Sequence, residues 1–129
     1  MSNVNKNLII ITTGKEDRGG RAIVGFCMAA SSIALGIDTT VFLTLNGTIW
    51  GMNGQAENVK IDGFEPLTVY MDQFLENGGK ILVCSPCVEF FCNLKIKSKT
   101  KEDSLIKGAE FAGFPTVTSI MAESSVVSL

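Results

Sequence analysis

Short runs of apolar residues constrain the fold of this chain more than any other feature. They read NLIIITTG at residues 7–14, TTVFLTL at residues 39–45 and KILVC at residues 80–84. A strand with one face in water alternates apolar and polar residues. Runs without that alternation are typical of strands buried on both faces of a parallel sheet. The chain therefore predicts an α/β fold around a mainly parallel sheet.

Helical patterns follow these strands. We predict helices in RAIVGFCMAASSIALG at 21–36, EPLTVYMDQFLENGG at 65–79 and SLIKGAEFAG at 104–113, then a short helix from about Pro115 and a last strand, SVVSL, at 125–129. Glycine just past a helix and proline in its first turn support the boundaries. Residues 1–129 are thus expected to form a single three-layer α/β/α domain with a sheet of about five strands.

The carboxyl ends of the first three strands are expected to form one crevice, which is where open parallel sheets bind ligands. These ends lie at Gly14, at Asn46 and Gly47, and at Cys84. The irregular stretch 46–63 carries the only tryptophan, Trp50, and a loop of this length in a small domain usually binds or covers something. Gly14, Asn46, Gly47 and Trp50 are therefore candidate substrate-binding residues.

Charge and hydropathy argue against nucleic-acid and membrane partners. The chain has 11 basic and 13 acidic side chains, a net charge of −2, so it lacks the basic surface that binds phosphates. No apolar stretch approaches the ~20 residues that cross a bilayer. Residues 1–6 lead directly into a short strand, so we expect no signal peptide and a cytoplasmic location, where thiols stay reduced.

Three of the four cysteines, Cys84, Cys87 and Cys92, lie within the segment ILVCSPCVEFFCNLK. Cys84 and Cys87 have the spacing of a zinc knuckle, but structural zinc needs four ligands and the chain has no histidine. Cys27 falls inside a predicted buried helix, where a packing role is expected. We therefore expect no metal site.

Besides simple packing, two interpretations of the cysteine cluster remain. CSPC resembles a redox pair, although thioredoxin-like domains have antiparallel strands and carry this motif earlier in the chain. Alternatively, Cys84 is a nucleophile at a strand end, where the N-terminus of the next helix can lower a thiol pKa from about 8.5 to roughly 3.5–7.5. Cys87 could then resolve Cys84 or accept sulfur from it. For Cys92, packing and a supporting role are equally open.

The chain resembles the DsrE/DsrF-like family, small α/β sulfurtransferase proteins that include the TusBCD subunits. The resemblance rests on the order and spacing of LIIITTGKED, of RAIVGFCMAASSIALGIDTTVFLTLNG, of GGKILVCSPC and of LIKGAEFAGFPTVTSIMAESSVVSL. It implies a cysteine that accepts sulfane sulfur as a persulfide, or thiosulfate as a thiosulfonate, and passes the group to a partner. The matching cysteine is Cys84, with Cys87 or Cys92 as a second thiol.

The resemblance also bears on anion binding and on partners. Many members have Arg–Gly shortly after the cysteine, where this chain has EFFCNLK, so Arg18 and Arg21 beside the first strand end are the candidates for holding the transferred group. The resemblance implies a TusA-like sulfur carrier as partner, a homo-oligomer and no cofactor. The alternatives are a non-catalytic interaction subunit and, less favoured, a C-x-x-C thiol–disulfide redox protein.

Overall fold

Five parallel strands form one sheet in the computed structural model, which describes residues 6–88 and 104–129. The strands are β1 (Lys6–Ile11), β2 (Asp38–Leu43), β3 (Lys80–Cys84), β4 (Ala109–Ala112) and β5 (Ser125–Ser128), in the order β4-β3-β2-β1-β5. The helices are α1 (Gly20–Ala34), α2 (Leu67–Glu76) and α3 (Phe114–Met121), with short 3₁₀ helices at Lys15–Asp17 and Leu45–Gly51. The predicted α/β fold and its parallel sheet of about five strands are confirmed.

Alternate side chains of each central strand enter two different apolar clusters, because successive residues of a strand point to opposite faces. The larger cluster receives Val41 of β2 and Val83 of β3 and packs against α1 and α2. The smaller cluster receives Phe42 of β2 and Cys84 of β3 and packs against Val117 of α3. Helices therefore cover both faces of the sheet, which explains why its strands carry continuous apolar runs.

The predicted ends of the first two helices are close to those observed. Gly36 and Gly78 follow α1 and α2 with φ of +83° and +91°, a conformation in which a Cβ atom would be strained. Pro66 precedes the first residue of α2, as expected from its fixed φ and its missing N–H. The short helix and the last strand of the tail also form, at Phe114–Met121 and Ser125–Ser128.

The helix predicted at residues 104–113 is wrong. Residues Ala109–Ala112 form β4, an edge strand that pairs in parallel with β3 and places Ala112 beside Cys84. Gly108, which has φ of +95°, immediately precedes this strand. Four residues with partly exposed side chains are too few to show a clear apolar period. Their hydrogen bonds with β3, and not their own helix or strand propensity, therefore determine that they form a strand.

Within residues 6–88 and 104–129, no helix is both long and apolar enough to span a membrane.

Candidate functional site

The thiols of Cys84 and Cys87 meet at the carboxyl end of β3. Cys84 is the last residue of the strand, a turn follows at residues 85–86, and Cys87 has helical conformation. The two Sγ atoms are 2.9 Å apart, and both cysteines are free thiols. Cys84 is 1% exposed and Cys87 6%. The sequence-based grouping of these two residues is thus realised as a direct contact, while Cys92 lies outside the described residues.

The loop after β2 supplies hydrogen-bond partners to Cys87. The backbone N–H of Leu45 donates to Cys87 Sγ at 3.3 Å, and the Thr44 hydroxyl oxygen lies 3.5 Å from the same sulfur. The strand register explains this contact. Leu43, the last residue of β2, pairs with Val83, so Thr44, which follows β2, comes out beside the end of β3. A sulfur with such donors is well placed to carry negative charge.

Leu45 adopts a backbone conformation that leucine rarely takes. Its φ is +52°, in the left-handed region, and its side chain is 45% exposed. A non-glycine residue held there costs roughly 1–3 kcal/mol and persists only where its surroundings fix it. Here the conformation accompanies the N–H contact with Cys87 Sγ. Such strain is found more often at functional sites than elsewhere.

The environment moves the pKa values of the two thiols in opposite directions. Burial, and then the hydrogen bond with Cys87, raise the pKa of Cys84 above its ordinary value. Burial also opposes ionisation of Cys87, but hydrogen bonds from Cys84, Thr44, Leu45 N–H and Thr48 outweigh it and lower the pKa of Cys87. This differs from the expected order, in which the lowered pKa belongs to Cys84. These directions favour the charged form on Cys87 more than on Cys84.

Gly14 and Asn46, two of the predicted substrate-binding residues, are joined by Glu16. One carboxylate oxygen of Glu16 accepts a hydrogen bond from Gly14 N at 2.7 Å, and the other accepts one from Asn46 Nδ2 at 2.9 Å. The hydrogen bond from Asn46 is the main cause of a lowered pKa at Glu16. The predicted convergence of the first two strand ends is therefore observed, with an internal carboxylate between them.

Gly47 lets the loop after β2 pass directly over the end of β1. Its N–H lies 3.2 Å from Thr12 O and 3.0 Å from Thr44 O. A Cβ atom on Gly47 would collide with the backbone oxygen of Ile11. The residue is buried, so its evident role is to allow this close approach.

Trp50 belongs to the core, not to an exposed surface. It is fully buried in the larger apolar cluster, and its Nε1 donates to Thr13 O at 2.9 Å. Cys84 and Cys87 belong to the smaller cluster on the other face of the sheet. The indole therefore fills the α1 side of the sheet, and the expectation that it covers the site is corrected.

Arg18 and Arg21 take up other positions. Arg18 is exposed and lines a cavity of about 230 Å³ with Lys60, Ile61 and Asp62. Arg21 is also exposed and forms an ion pair with Asp17, with 3.4 Å between Nη1 and Oδ2. Neither arginine is among the observed partners of the cysteine sulfurs, which come from the loop after β2 and from the thiols themselves.

In the part of the chain that the structure describes, no three cysteine or acidic side chains are grouped so that they could hold a metal ion. The donors around the thiol pair are a hydroxyl and a backbone N–H, which suit an anionic sulfur better than a cation.

Sequence reasoning missed Thr44, Leu45 and Glu16. The first two could have been found from the parallel pairing, because the residues that follow β2 leave the sheet beside the end of β3. Nothing in the sequence indicates the positive φ of Leu45. Glu16 sits in the polar turn KED, and its contact with Asn46 depends on how the two loops fold back.

Comparisons with known proteins agree with this architecture. The protein is 29% identical over 119 residues to an uncharacterized protein of Methanocaldococcus jannaschii, an alignment that covers 92% of this chain and 41% of that protein. The chain thus spans less than half the length of this curated relative. The fold is similar to that of the YchN protein of Escherichia coli, with a TM-score of 0.70 and 14% identity over 97% of this chain and 99% of that one.

A match to a family profile shows which family the chain belongs to. The profile of the DsrE/DsrF-like family matches residues 6–128, which is nearly the whole chain. The matched region includes all five strands and both thiols of the site. The chain belongs to the DsrE/DsrF-like family.

Proposed function

We propose that this protein is a sulfur carrier or sulfurtransferase that holds sulfane sulfur, or thiosulfate as a thiosulfonate, on the Cys84–Cys87 pair and passes it to an acceptor thiol. The observation that carries this proposal is the contact of the two sulfurs at 2.9 Å, beside a backbone N–H and a hydroxyl from the loop after β2. Family membership supports it, since DsrE-like proteins act in sulfur-relay complexes.

The site meets two requirements of sulfur transfer. The first is a thiolate, and the hydrogen bonds that lower the pKa of Cys87 favour it without histidine. The second is protection of the labile S–S bond from other thiols, which the burial of both cysteines supports. Pro86 lies between the two cysteines in the chain, and Leu45 contacts Cys87 through its backbone N–H. Both residues are exposed, so the site is close to the surface.

The proposal is tested by incubating the reduced protein with polysulfide, or with tetrathionate, from which the thiolate displaces thiosulfate and keeps a thiosulfonate group. The intact mass is measured at early times. We expect a gain of one sulfur atom or one thiosulfonate group, mapped by peptide analysis to the 84–87 pair. The matched controls are a Cys84→Ser/Cys87→Ser double variant, which should gain nothing there, and Cys27→Ser, which should behave as wild type. If iodoacetamide labels the pair but no sulfur is gained, the protein is instead a non-catalytic interaction subunit.

A thiol–disulfide redox function is the second candidate, and the same 2.9 Å contact favours it. Disulfide formation needs only a small further approach of the two sulfurs, whose bonded distance is about 2.05 Å. The redox function predicts a reversible Cys84–Cys87 disulfide with a potential in the range of cellular thiol buffers, measured by equilibration with glutathione. It also predicts that neither single variant, Cys84→Ser or Cys87→Ser, retains sulfur after incubation with polysulfide, which separates it from the carrier function.

We also propose, from the family resemblance, a TusA-like small carrier as partner, a homo-oligomer and a cytoplasmic location. Exposed apolar side chains support self-association: Val24 and Met28 on α1 are 37% and 42% exposed, and Val126 on the edge strand β5 is 43% exposed. Val126 and Met28 line one cavity of about 180 Å³ at this edge of the sheet.

A further inference from the structure

We propose that Cys87 is the thiol that accepts sulfur and that Cys84 is the resolving thiol, which can discharge it as sulfide. This division of roles rests on the sulfur-carrier function proposed above. It also reverses the assignment implied by the family resemblance, in which Cys84, at the strand end, accepts the sulfur.

The contacts of Cys87 carry the first half of the proposal. Its Sγ lies 3.3 Å from the Leu45 N–H and 3.5 Å from the Thr44 hydroxyl, and 2.9 Å from Cys84 Sγ. The first two partners come from the loop after β2, where the Thr44 N–H donates to Ile11 O at 3.1 Å, so they already lie beside Cys87 before the thiolate forms. A thiolate accepts hydrogen bonds and cannot donate them, so these partners favour the charged form.

The position of Cys84 carries the second half. Its side chain leaves β3 on the face that holds Leu82, Val117 and Ala112, and only 1% of it is exposed. Charge on this sulfur is unfavourable in such apolar surroundings, so Cys84 remains a protonated thiol that can donate a hydrogen bond to Cys87. The directions of the two pKa values agree with this order.

The first step transfers sulfur without net oxidation. The Cys87 thiolate attacks the outer sulfur of a donor persulfide, R–S–SH. A new bond forms between Cys87 Sγ and that sulfur while the donor S–S bond breaks. The bonding electron pair leaves with the donor sulfur as R–S⁻, which takes a proton from water. The product is a Cys87 persulfide, Cys87–S–SH.

The second step discharges the sulfur when no acceptor removes it. Cys84 gives up its proton and attacks Cys87 Sγ, forming the Cys84–Cys87 disulfide and breaking the bond to the outer sulfur, which leaves as HS⁻ and is protonated. The two thiols are oxidised to a disulfide, and the sulfane sulfur is reduced to sulfide. The 2.9 Å distance between the sulfurs makes this attack intramolecular and short.

Single-cysteine variants test the division of roles. Reduced wild type, Cys84→Ser, Cys87→Ser and the control Cys27→Ser are treated with glutathione persulfide, and intact mass, peptide position and free sulfide are followed over time. We expect Cys84→Ser to retain a persulfide on Cys87 and to release no sulfide after excess donor is removed. Wild type and Cys27→Ser should release one sulfide per loaded chain and lose two hydrogens in forming the disulfide. Cys87→Ser should take up no sulfur at Cys84.

The outcomes separate this proposal from the function on which it rests. A persulfide on Cys84 in Cys87→Ser, formed as fast as in wild type, would overturn the division of roles and leave the carrier function intact. Sulfide release from Cys84→Ser at the wild-type rate would do the same. Absence of sulfur uptake in every protein, including wild type, would overturn both.

Substitution of Thr44 provides a test that leaves both cysteines in place. Thr44→Val keeps the shape of the side chain and removes the hydroxyl, whereas Thr44→Ser keeps the hydroxyl. A hydrogen bond to a charged sulfur is lost only in the valine variant, so we expect sulfur uptake by Cys87 to slow about tenfold in Thr44→Val and to stay near wild type in Thr44→Ser. Equal rates in wild type and Thr44→Val would contradict the role given to the loop after β2.

Discussion

At the scale of single residues, the two thiols differ because the chain around them differs. Cys84 ends a buried strand and faces apolar side chains, whereas Cys87 begins a helical turn and faces the loop after β2. Two thiols in equal surroundings would lose a proton with equal ease. Here the donors at Thr44 and Leu45 decide which sulfur ionises first.

The pH dependence of alkylation measures that preference. The pKa of Cys87 is lowered, so its thiolate persists below the ordinary thiol pKa of about 8.5 and disappears only as the pH falls through the lower value. Peptide-resolved labelling with iodoacetamide should therefore place the midpoint of Cys87 below that of the urea-unfolded chain. The midpoint of Cys84 should lie above it. Because the groups interact, both midpoints belong to the pair. The reverse order would contradict the account of the site.

The second prediction at this scale concerns Gly47. A methyl group at residue 47 would collide with the carbonyl oxygen of Ile11, a backbone atom that cannot move aside by changing rotamer. We expect Gly47→Ala to lower the free energy of unfolding by about 1–3 kcal/mol, measured by urea denaturation. Gly113→Ala is the matched control, because its nearest neighbour would be Pro115 Cδ at 3.6 Å and no positive φ is required there. Equal stability of the two variants would refute the close approach.

At the scale of secondary-structure elements, α1 and α2 form the layer that positions the sheet. Phe26 of α1 and Phe74 of α2 meet edge to face, with ring centroids 6.2 Å apart and an angle of 69° between the rings. Both rings are fully buried. This contact joins the two helices over the larger apolar cluster, which also receives Val41 of β2 and Val83 of β3.

Truncation of Phe74 tests the contribution of this helical layer. We expect Phe74→Ala to destabilise the protein by about 3–5 kcal/mol, because it leaves a cavity between two helices and the sheet. The control is Phe114→Ala. Phe114 also makes an edge-to-face contact, with Phe42 at 5.8 Å, but it is 54% exposed, so the loss should be clearly smaller. Denaturation midpoints that shift equally would show that α1 and α2 do not form the main core.

The elements also show what a sequence can predict about such a fold. The strands β1, β2 and β3 and the helices α1 and α2 were predicted because long apolar or periodic segments carry a strong signal. The edge strand β4 was predicted as a helix because its four residues are stabilised by hydrogen bonds with β3 and not by their own pattern. The contact of Cys84 with Cys87 follows from their spacing at a strand end, but the order of their pKa values does not. That order depends on hydrogen bonds to Cys87 from Cys84, Thr44 and the Leu45 N–H. No local pattern indicates the positive φ of Leu45.

At the scale of the whole molecule, the strand order makes β2 the central strand of the sheet and β3 its neighbour. The thiol site is therefore built from two neighbouring strand ends. The third, at β1, contributes Gly14 and, through Glu16, a contact with Asn46. The prediction that ligand-binding residues gather at this edge stays a prediction for Gly14, Asn46 and Gly47. For Trp50, the burial of its indole on the other face of the sheet argues for a structural role.

Self-association is the prediction that concerns the molecule as a unit. The chain has a mass of 13.8 kDa, and we expect light scattering in solution to give a mass at least twice that value. Val126→Glu places a charge on the exposed edge strand β5 and should shift the mass toward that of one chain, because a buried unpaired charge is strongly unfavourable. The exposed Leu35→Glu at the far end of α1 serves as the control. A single-chain mass for wild type would contradict the expected homo-oligomer.

The most direct test of the proposed function is the cyanolysis of protein loaded with sulfur. Cyanide removes sulfane sulfur as thiocyanate, which can be counted against protein, whereas an ordinary disulfide yields no thiocyanate. The single variants Cys84→Ser and Cys87→Ser, which cannot close the internal disulfide, are loaded with polysulfide, desalted and treated with cyanide, beside the Cys84→Ser/Cys87→Ser double variant. The sulfur-carrier account predicts thiocyanate from at least one single variant and a loss of that yield in the double variant. Equal yields from all three proteins, or none from any, would contradict it.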